Sequence, residues 1–286
     1  MNNDLLELIS EQGWDIAKCA VDMNNIIVGT NTTYFCTYEN RKYVLRIGSS
    51  NSGLLSINRN AEEQTIRIMS DIGCTPKLHY FNAVNGNMIT EFTEGSMASD
   101  ENFNDDNFIN FLILYMKKMH SQTIDYDFNP YFDIGLRLYH IEKNNIPLHK
   151  DFNFFYKKYL NIKNEYPIPD NEYRGLCHND LFPENIIISD DKFWIIDFEY
   201  SGMGDIFFDM AVLIGHKPSD MQKAVLKKYF GRCDDKMIRR LRAFTYTHTL
   251  WNSMWGYLKS LEADKSIFDG VYCGNLHMES LRNIEI

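Results

Sequence analysis

The stretch from Cys177 to Asp209 constrains this chain more than any other. It runs Cys-His-Asn-Asp-Leu-Phe-Pro-Glu-Asn, then Ile-Ile-Ile, a polar Ser-Asp-Asp-Lys, and Phe-Trp-Ile-Ile. Asp-Phe-Glu-Tyr-Ser-Gly-Met-Gly-Asp-Ile-Phe-Phe-Asp completes it. Two apolar runs, Ile186–Ile188 and Phe193–Ile196, are too short for helices and rich in Ile and aromatics. With Ser189-Asp190-Asp191-Lys192 between them, they predict a β-hairpin. Asp180 and Asn185 then fall in the loop before the first strand, and Asp197 falls just after the second. Two carboxylates and an amide are expected at one end of a buried hairpin, where metal binding and acid–base chemistry are both possible.

Upstream, residues 4–12 predict a short amphipathic helix with Leu5, Leu8 and Ile9 on one face. Strand character follows at Ile16–Asp22, Ile26–Val28, Tyr34–Glu39 and Lys42–Ile47, the last two joined by a turn at Asn40-Arg41. A period of two in Tyr43-Val44-Leu45-Arg46-Ile47 sets Arg46 on the face opposite Tyr43, Leu45 and Ile47. Such an Arg is either an exposed edge residue or a phosphate ligand. Gly29-Thr30-Asn31-Thr32-Thr33, between candidate strands, could cover a phosphate with backbone N–H groups. Asn58 to Ile72 has helical spacing, with Ile57, Ala61, Ile68 and Ile72 as a buried stripe, Gly73 as C-cap and Pro76 as breaker. Glu62 and Glu63 lie inside this helix, and either could reach Arg46. Leu78–Val84 and Asn87–Phe92 flank Asn85-Gly86, the strongest hairpin signal in the chain.

After Phe92 the pattern changes. A polar connection, Thr93-Glu94-Gly95-Ser96, leads into helical spacing. One helix is capped by Asp105 or Asp106 and runs to about His120, with Ile109, Leu112, Ile113 and Met116 inward. Another covers Asp151 to Lys163 and stops at Pro167-Ile168-Pro169. Two more are expected near Ser219–Phe230 and Asp235–Ser260. The fold class is therefore α+β and bilobal. A small antiparallel sheet with one long helix forms residues 1–93, and a larger, mostly helical lobe forms residues 94–286.

Composition narrows the function. A net charge of −10 opposes nucleic acid or an anionic membrane surface as partner and suits a cationic small substrate, or simply solubility. No apolar run approaches a membrane span, and the acidic amino terminus lacks the pattern of a signal peptide. The six cysteines are scattered without a Cys-x-x-Cys pair. That argues against a zinc site or a disulfide framework and for a reducing, cytoplasmic setting.

A β-rich lobe, a short hinge and a helical lobe carrying a polar hairpin is the layout of a kinase fold. His178-x-Asp180-x4-Asn185, followed twelve residues later by Asp197, resembles the catalytic and metal-binding loops of protein kinases. Asn179 stands where protein kinases have Arg, Asp197-Phe198-Glu199 replaces Asp-Phe-Gly, and no Gly-x-Gly-x-x-Gly loop or Ala-Pro-Glu is present. These departures, with Cys-His-Asn-Asp-Leu-x-Pro-Glu-Asn and Ile-Asp-Phe-Glu-Tyr-x-Gly-x-Gly-Asp, make the chain similar to the choline/ethanolamine kinases. The likeness is greatest to their bacterial LicA type, within the aminoglycoside-phosphotransferase superfamily. It extends to Thr30-Asn31, Val44-Leu45-Arg46, Asn58-Arg59-Asn60-Ala61-Glu62, Ile89-Thr90-Glu91-Phe92 and Met119-His120. Where the family usually has a glycine pair, this chain has Ile27-Val28-Gly29.

The resemblance implies an ATP- and Mg²⁺-dependent kinase of a small alcohol, choline first. Asp180 would orient the hydroxyl and take its proton, while Asn185 and Asp197 would hold Mg²⁺ through hard oxygens. Thr30, Asn31 and Arg46, the last held by Glu62, would grip nucleotide phosphates, and Glu91-Phe92 would present hinge backbone to adenine. His178 and Asp209 would brace the loop. Tyr200 matches a Tyr that lines the choline pocket in the family, and Trp251 and Trp255 stand where relatives carry a Trp-x-x-Trp helix. An aromatic stripe at that spacing is either core or cage. His216 stands where some relatives have an acid near the ammonium, so negative charge is sought instead from Glu199 or Asp205. Ethanolamine, thiamine or an aminoglycoside is the alternative acceptor. A nucleotide-binding pseudokinase is disfavoured by intact Asp180, Asn185 and Asp197.

Overall fold

The computed structural model describes residues 3–49, 51–168, 171–190, 192–261 and 268–286. Met1 and Asn2 of the amino terminus, Pro169 of the helix stop and Asp191 of the hairpin turn lie outside the described residues. The chain opens with α1 (Asn3–Glu11), β1 (Ala20–Val28), β2 (Thr32–Tyr38), β3 (Arg41–Ile47) and α2 (Arg59–Asp71). Next come β4 (Leu78–Phe81), β5 (Met88–Glu91), β6 (Ser96–Met97), α3 (Asp106–His120), α4 (Pro130–Lys143) and α5 (Phe152–Glu165). Strands β7 (Arg174–Cys177), β8 (Ile186–Ile188), β9 (Phe193–Ile195) and β10 (Gly202–Asp205) follow, then α6 (Ile206–Ile214), α7 (Ser219–Phe230), α8 (Asp235–Lys259) and α9 (Gly270–Ser280). This is an α+β, protein-kinase-like fold: an antiparallel sheet in the amino-terminal part, helices in most of the remainder. No described helix is long and apolar enough to cross a membrane.

The chain divides into two compact units. The first comprises residues 1–53, 57–99 and 184–199; the second comprises 54–56, 100–183 and 200–286. A single cut after residue 93 does not describe this division, because the β8–β9 hairpin groups with the amino-terminal sheet. β8 pairs with β6, Ser96 opposite Ile188, and the Ile195 N–H donates to the Cys74 carbonyl at 2.9 Å.

In the first unit the strand order is β1-β2-β3-β5-β4, all antiparallel. Leu5, Leu8 and Ile9 of α1 cover one face against Tyr34, Cys36, Tyr43, Leu45 and Ile89. Each of those three side chains contributes about 1.5–3 kcal/mol by leaving water. β3 is interior, so Arg46 on its other face is enclosed, at 4% exposure, and is not an edge residue.

Local details correct several expectations. Ile16–Lys18 is a 3₁₀ turn capped by Asp15, and one strand with a bulge between Asp22 and Ile27 replaces the two expected there. The β2–β3 turn falls one residue earlier, at Glu39-Asn40, both with positive φ. On α2 the buried positions are Arg59, Ala61, Glu62, Thr65, Ile66 and Met69, while Ile72 is exposed. Ile57 and Ala61 are buried as expected, but from there the stripe runs through Thr65, Ile66 and Met69 instead of Ile68 and Ile72. Asn58 caps this helix and Gly73, at φ +69°, ends it. β4 and β5 stop well short of Asn85-Gly86. Within their longer connection the Gly86 N–H donates to the Asn82 carbonyl at 2.7 Å.

In the second unit α3, α5, α7 and α8 lie where the spacing places them, with Asp105 capping α3. Among the described residues three further helices are present: α4, capped by Asn129 with Pro130 in its first turn, the wholly buried α6, and α9.

Candidate active site

Within the first unit a buried ionic network runs along the sheet face opposite α1. Arg46 Nη1 donates to Glu62 Oε1 at 2.5 Å and lies 3.7 Å from Asp197 Oδ1. Burial opposes the charge of Arg46, but the charge and hydrogen bond of Glu62 outweigh it, and its pKa lies above the ordinary value. The other Glu62 oxygen accepts from Arg59 Nη1 at 2.7 Å. Glu62 is therefore the partner of Arg46, whereas Glu63 pairs with Arg67 at 2.6 Å nearer the surface. Gly86 completes the grip on Arg46: its carbonyl accepts from Nε at 3.2 Å and Nη2 at 3.0 Å. Its φ of +78°, and the Arg59 guanidinium 2.5 Å from where a Cβ would stand, both require glycine there.

Asn31 is drawn into the same network. Its Oδ1 accepts from Arg59 Nη2 at 2.8 Å and from the Ser49 N–H at 3.2 Å, and its Nδ2 donates to Glu199 Oε2 at 2.8 Å. Thr30 occupies the adjoining tight turn, in which the Gly29 N–H donates to the Asn31 carbonyl at 2.9 Å. Burial, then the charges of Asp197 and Glu62, push the Glu199 carboxyl up to about 8 against the pull of Arg46 and Arg59. Glu199 also lies 3.6 Å from Arg59 Nη1, so the two guanidinium groups and the Glu62, Asp197 and Glu199 carboxyls form one cluster. Its carboxyl is thus engaged within the network by Asn31 and Arg59.

The hairpin brings Asn185 and Asp197 to one end, because the Ile196 N–H donates to the Asn185 carbonyl at 3.0 Å. Asp197, at φ +66°, keeps its side chain partly open to solvent, and Asn185 is half-buried. An amide oxygen and a carboxylate within reach of water are the hard donors Mg²⁺ takes while keeping several waters. At the hinge, the N–H groups of Glu91 and Phe92 donate to the Lys77 and Lys42 carbonyls at 2.9 and 3.0 Å. A purine is therefore not held through those two N–H groups.

The second unit carries Asp180. The chain turns through Asn179 at φ +65°, a conformation Asn tolerates better than most residues. Asp209, on the apolar α6, holds the turn. It accepts from the His178 N–H at 2.9 Å, the Asn179 N–H at 2.7 Å and His120 Nε2 at 3.0 Å. Burial raises the Asp209 pKa, but His120 and His178 outweigh it, and the carboxyl stays ionised below its ordinary range. His120, whose Nδ1 meets the Tyr229 hydroxyl at 2.7 Å, had only its place in the family pattern to mark it. Asn179 Nδ2 donates to the Tyr200 carbonyl at 2.8 Å, tying the loop to Tyr200. The Asp180 N–H donates to His178 Nδ1 at 3.3 Å.

Tyr200 and Trp251 meet edge to face, ring centroids 4.9 Å apart. Trp255 does not join them; it is half-buried against Phe268 at 5.8 Å. Four residues advance a helix by one turn, about 6 Å, so the two tryptophans share a face of α8 but meet different neighbours along it. Asp205 caps α6 and pairs with Arg240, and His216 meets Thr249 Oγ1 at 3.2 Å. The carboxylate beside the Tyr200–Trp251 corner is instead Asp133 of α4. It accepts from Trp251 Nε1 and, at 2.7 Å, from Arg137 Nε. Sequence reasoning missed both residues with their helix, although Asn129-Pro130 followed by Ile134 and Ile141 is a cap, an N1 proline and a helical repeat.

A guanidinium–carboxylate network with an Asn–Asp pair in the first unit, and a braced carboxylate loop in the second, fit the needs of phosphoryl transfer. The family comparison agrees: residues 29–244 match the phosphotransferase enzyme family, APH, and the chain belongs to it. A LicA homolog of Mycoplasma capricolum is 24% identical over 225 residues, covering 78% of this chain and 85% of that protein. Protein LicA of Haemophilus influenzae is 44% identical over 55 residues, 18% of this chain and only 21% of that protein. Among solved structures, choline kinase LicA from Streptococcus pneumoniae superposes with a TM-score of 0.74 at 20% identity, covering 98% of each chain. A LicA structure in complex with AMP gives 0.75 at 19% identity, again covering 98% of each.

Proposed function

We propose that this phosphotransferase moves the γ-phosphate of ATP to the hydroxyl of choline, making phosphocholine. Arg46 carries the nucleotide half of the reading: a guanidinium fixed by Glu62 and the Gly86 carbonyl, 3.7 Å from Asp197, is rigid and permanently charged. In this reading it grips nucleotide phosphates. Asn185 and Asp197 hold Mg²⁺, which when bound neutralises charge on the phosphate oxygens. Thr30 and Asn31 shape the turn over the phosphates, with Asn31 acting through Arg59 and Glu199. Asp180 orients the acceptor hydroxyl and accepts its proton, and Asp209 with His178 keeps the Asp180 backbone in place. Tyr200 and Trp251 supply the aromatic surface that attracts a quaternary ammonium, with Asp133 as counter-charge. Trp255 stays outside the pocket, and Glu199 has no direct substrate contact.

The test is ATP consumption across choline, ethanolamine, thiamine, homoserine, methylthioribose and aminoglycosides. Turnover is expected with choline. No turnover with choline and clear turnover with another acceptor would sink the choline assignment and spare the kinase. Asp180→Ala is expected to lower kcat by about 10²–10⁴ with nucleotide affinity unchanged, measured by isothermal titration. Undiminished kcat refutes its role.

A further inference from the structure

The corner between Tyr200 and Trp251 already holds a cation. The Arg137 guanidinium lies 4.0 Å from the Trp251 ring centroid and 5.4 Å from that of Tyr200. Its Nε donates to Asp133 at 2.7 Å, and its Nη2 donates to the Leu55 carbonyl at 3.0 Å. Arg137 is completely buried, and Trp251 and Tyr200 are 1% and 5% exposed. At 4.0 Å the guanidinium is in van der Waals contact with the indole, so no second cation fits between them. The rings of Phe128, Phe208 and His248, all buried, also meet Trp251. While Arg137 is seated, Trp251 offers no free face to an incoming ammonium.

The hold on Arg137 is incomplete. Its Nη1 is buried and has no hydrogen-bond partner among the described residues. An unsatisfied buried donor weakens the seated state relative to one in which the guanidinium reaches water. Asp133, by contrast, also accepts from Trp251 Nε1, so the carboxylate stays at the corner when the arginine leaves.

We propose that Arg137 is a tethered competitor that sets acceptor selectivity: its guanidinium occupies the cation seat of Tyr200, Trp251 and Asp133, and a quaternary ammonium binds only by displacing it. This rests on the reading that Tyr200 and Trp251 bound the acceptor. A competent state populated at a fraction f weakens apparent affinity by 1/f. Removing the competitor therefore tightens binding of any cation that takes the seat and leaves nucleotide affinity alone. Arg137→Met vacates the seat and leaves Asp133 without its ion pair. Arg137→Lys keeps a charge for Asp133 but cannot lie flat on the indole while also reaching Leu55.

The experiment titrates tetramethylammonium and choline into the wild type, Arg137→Met, Arg137→Lys and Trp251→Phe, following tryptophan fluorescence and calorimetry, with folding checked by circular dichroism. Roughly tenfold tighter tetramethylammonium binding in Arg137→Met is expected, and a smaller gain in Arg137→Lys, both with unchanged ATP affinity. If Arg137→Met does not fold, Arg137→Lys decides alone. Equal or weaker binding in the arginine variants, with binding weakened in Trp251→Phe, overturns the competitor role and keeps the acceptor site. Unchanged binding in all three variants overturns the acceptor site and the proposal with it.

Discussion

Glu62 concentrates the chemistry of the first unit in one side chain. Its two oxygens satisfy Arg46 and Arg59, both nearly enclosed, so the carboxylate neutralises charge that water cannot reach. Removing it leaves two buried guanidinium groups without their shared carboxylate, with Asp197 and Glu199 no nearer than 3.7 and 3.6 Å. Breaking a buried pair from one side typically costs about 3–5 kcal/mol, because the remaining charge is uncompensated. Glu62→Ala is therefore expected to lower the urea-unfolding free energy by roughly that amount. Glu63→Ala, which loses only the more exposed pair with Arg67, should stay within about 0.5 kcal/mol of the wild type. Comparable losses in the two variants would mean that the Arg46–Glu62 pair is not the one holding this face together. The two residues are adjacent in sequence and identical in chemistry. Only the helix phase of α2, set by the Asn58 cap, separates them.

At the scale of elements, legibility followed local signals. Two short Ile- and aromatic-rich runs identified β8 and β9, apolar spacing identified α1, α3, α5, α7 and α8, and the pattern around Asp180, Asn185 and Asp197 placed each on its loop or strand end. What stayed hidden depends on partners distant in sequence. Asp133 and Arg137 acquire meaning only when α4 packs beside α8, and nothing in residues 129–143 announces that neighbour. The Gly86 carbonyl reads as a turn residue until Arg46 is seen donating to it. Trp251 and Trp255 look equivalent on a helical wheel, yet one is core against Arg137 and the other is half-buried against Phe268. Helix α8 also carries a buried liability in His248, packed against Phe182, Phe208 and Trp251 with its Nε2 unbonded. Burial, reinforced by His216 and His277, pushes its pKa down to about 3. The unfolded chain therefore takes up a proton at His248 between about pH 6.5 and pH 3 that the folded chain does not. Unfolded-state proton uptake makes stability fall as pH falls, by up to about 1.4 kcal/mol per pH unit for one group. The contribution is intact above pH 6.5. His248→Leu should flatten the acid limb of urea stability measured from pH 7 to pH 4, and an unchanged slope would show that this histidine is protonated in the folded state.

For the whole molecule the informative quantity is the net charge of −10, spread over 286 residues. A negative protein concentrates cations near its surface, which favours a cationic acceptor and disfavours ATP. The acceptor term can be isolated by comparing choline with its uncharged carbon isostere, 3,3-dimethylbutan-1-ol, at saturating nucleotide. The two have the same shape and the same hydroxyl, and only choline feels the field. Raising ionic strength from about 10 mM to about 150 mM shortens the Debye length from roughly 30 Å to roughly 8 Å. The long-range part of the attraction is then lost, while charges packed close together inside the protein are screened far less. kcat/KM for choline should fall several-fold across that range and kcat/KM for the isostere should hold steady, because only the first includes the concentration of the substrate by the field. A parallel fall for both would trace the salt effect to the nucleotide or to the fold. No change for either would mean that the acidic surface serves solubility and has no part in gathering the acceptor.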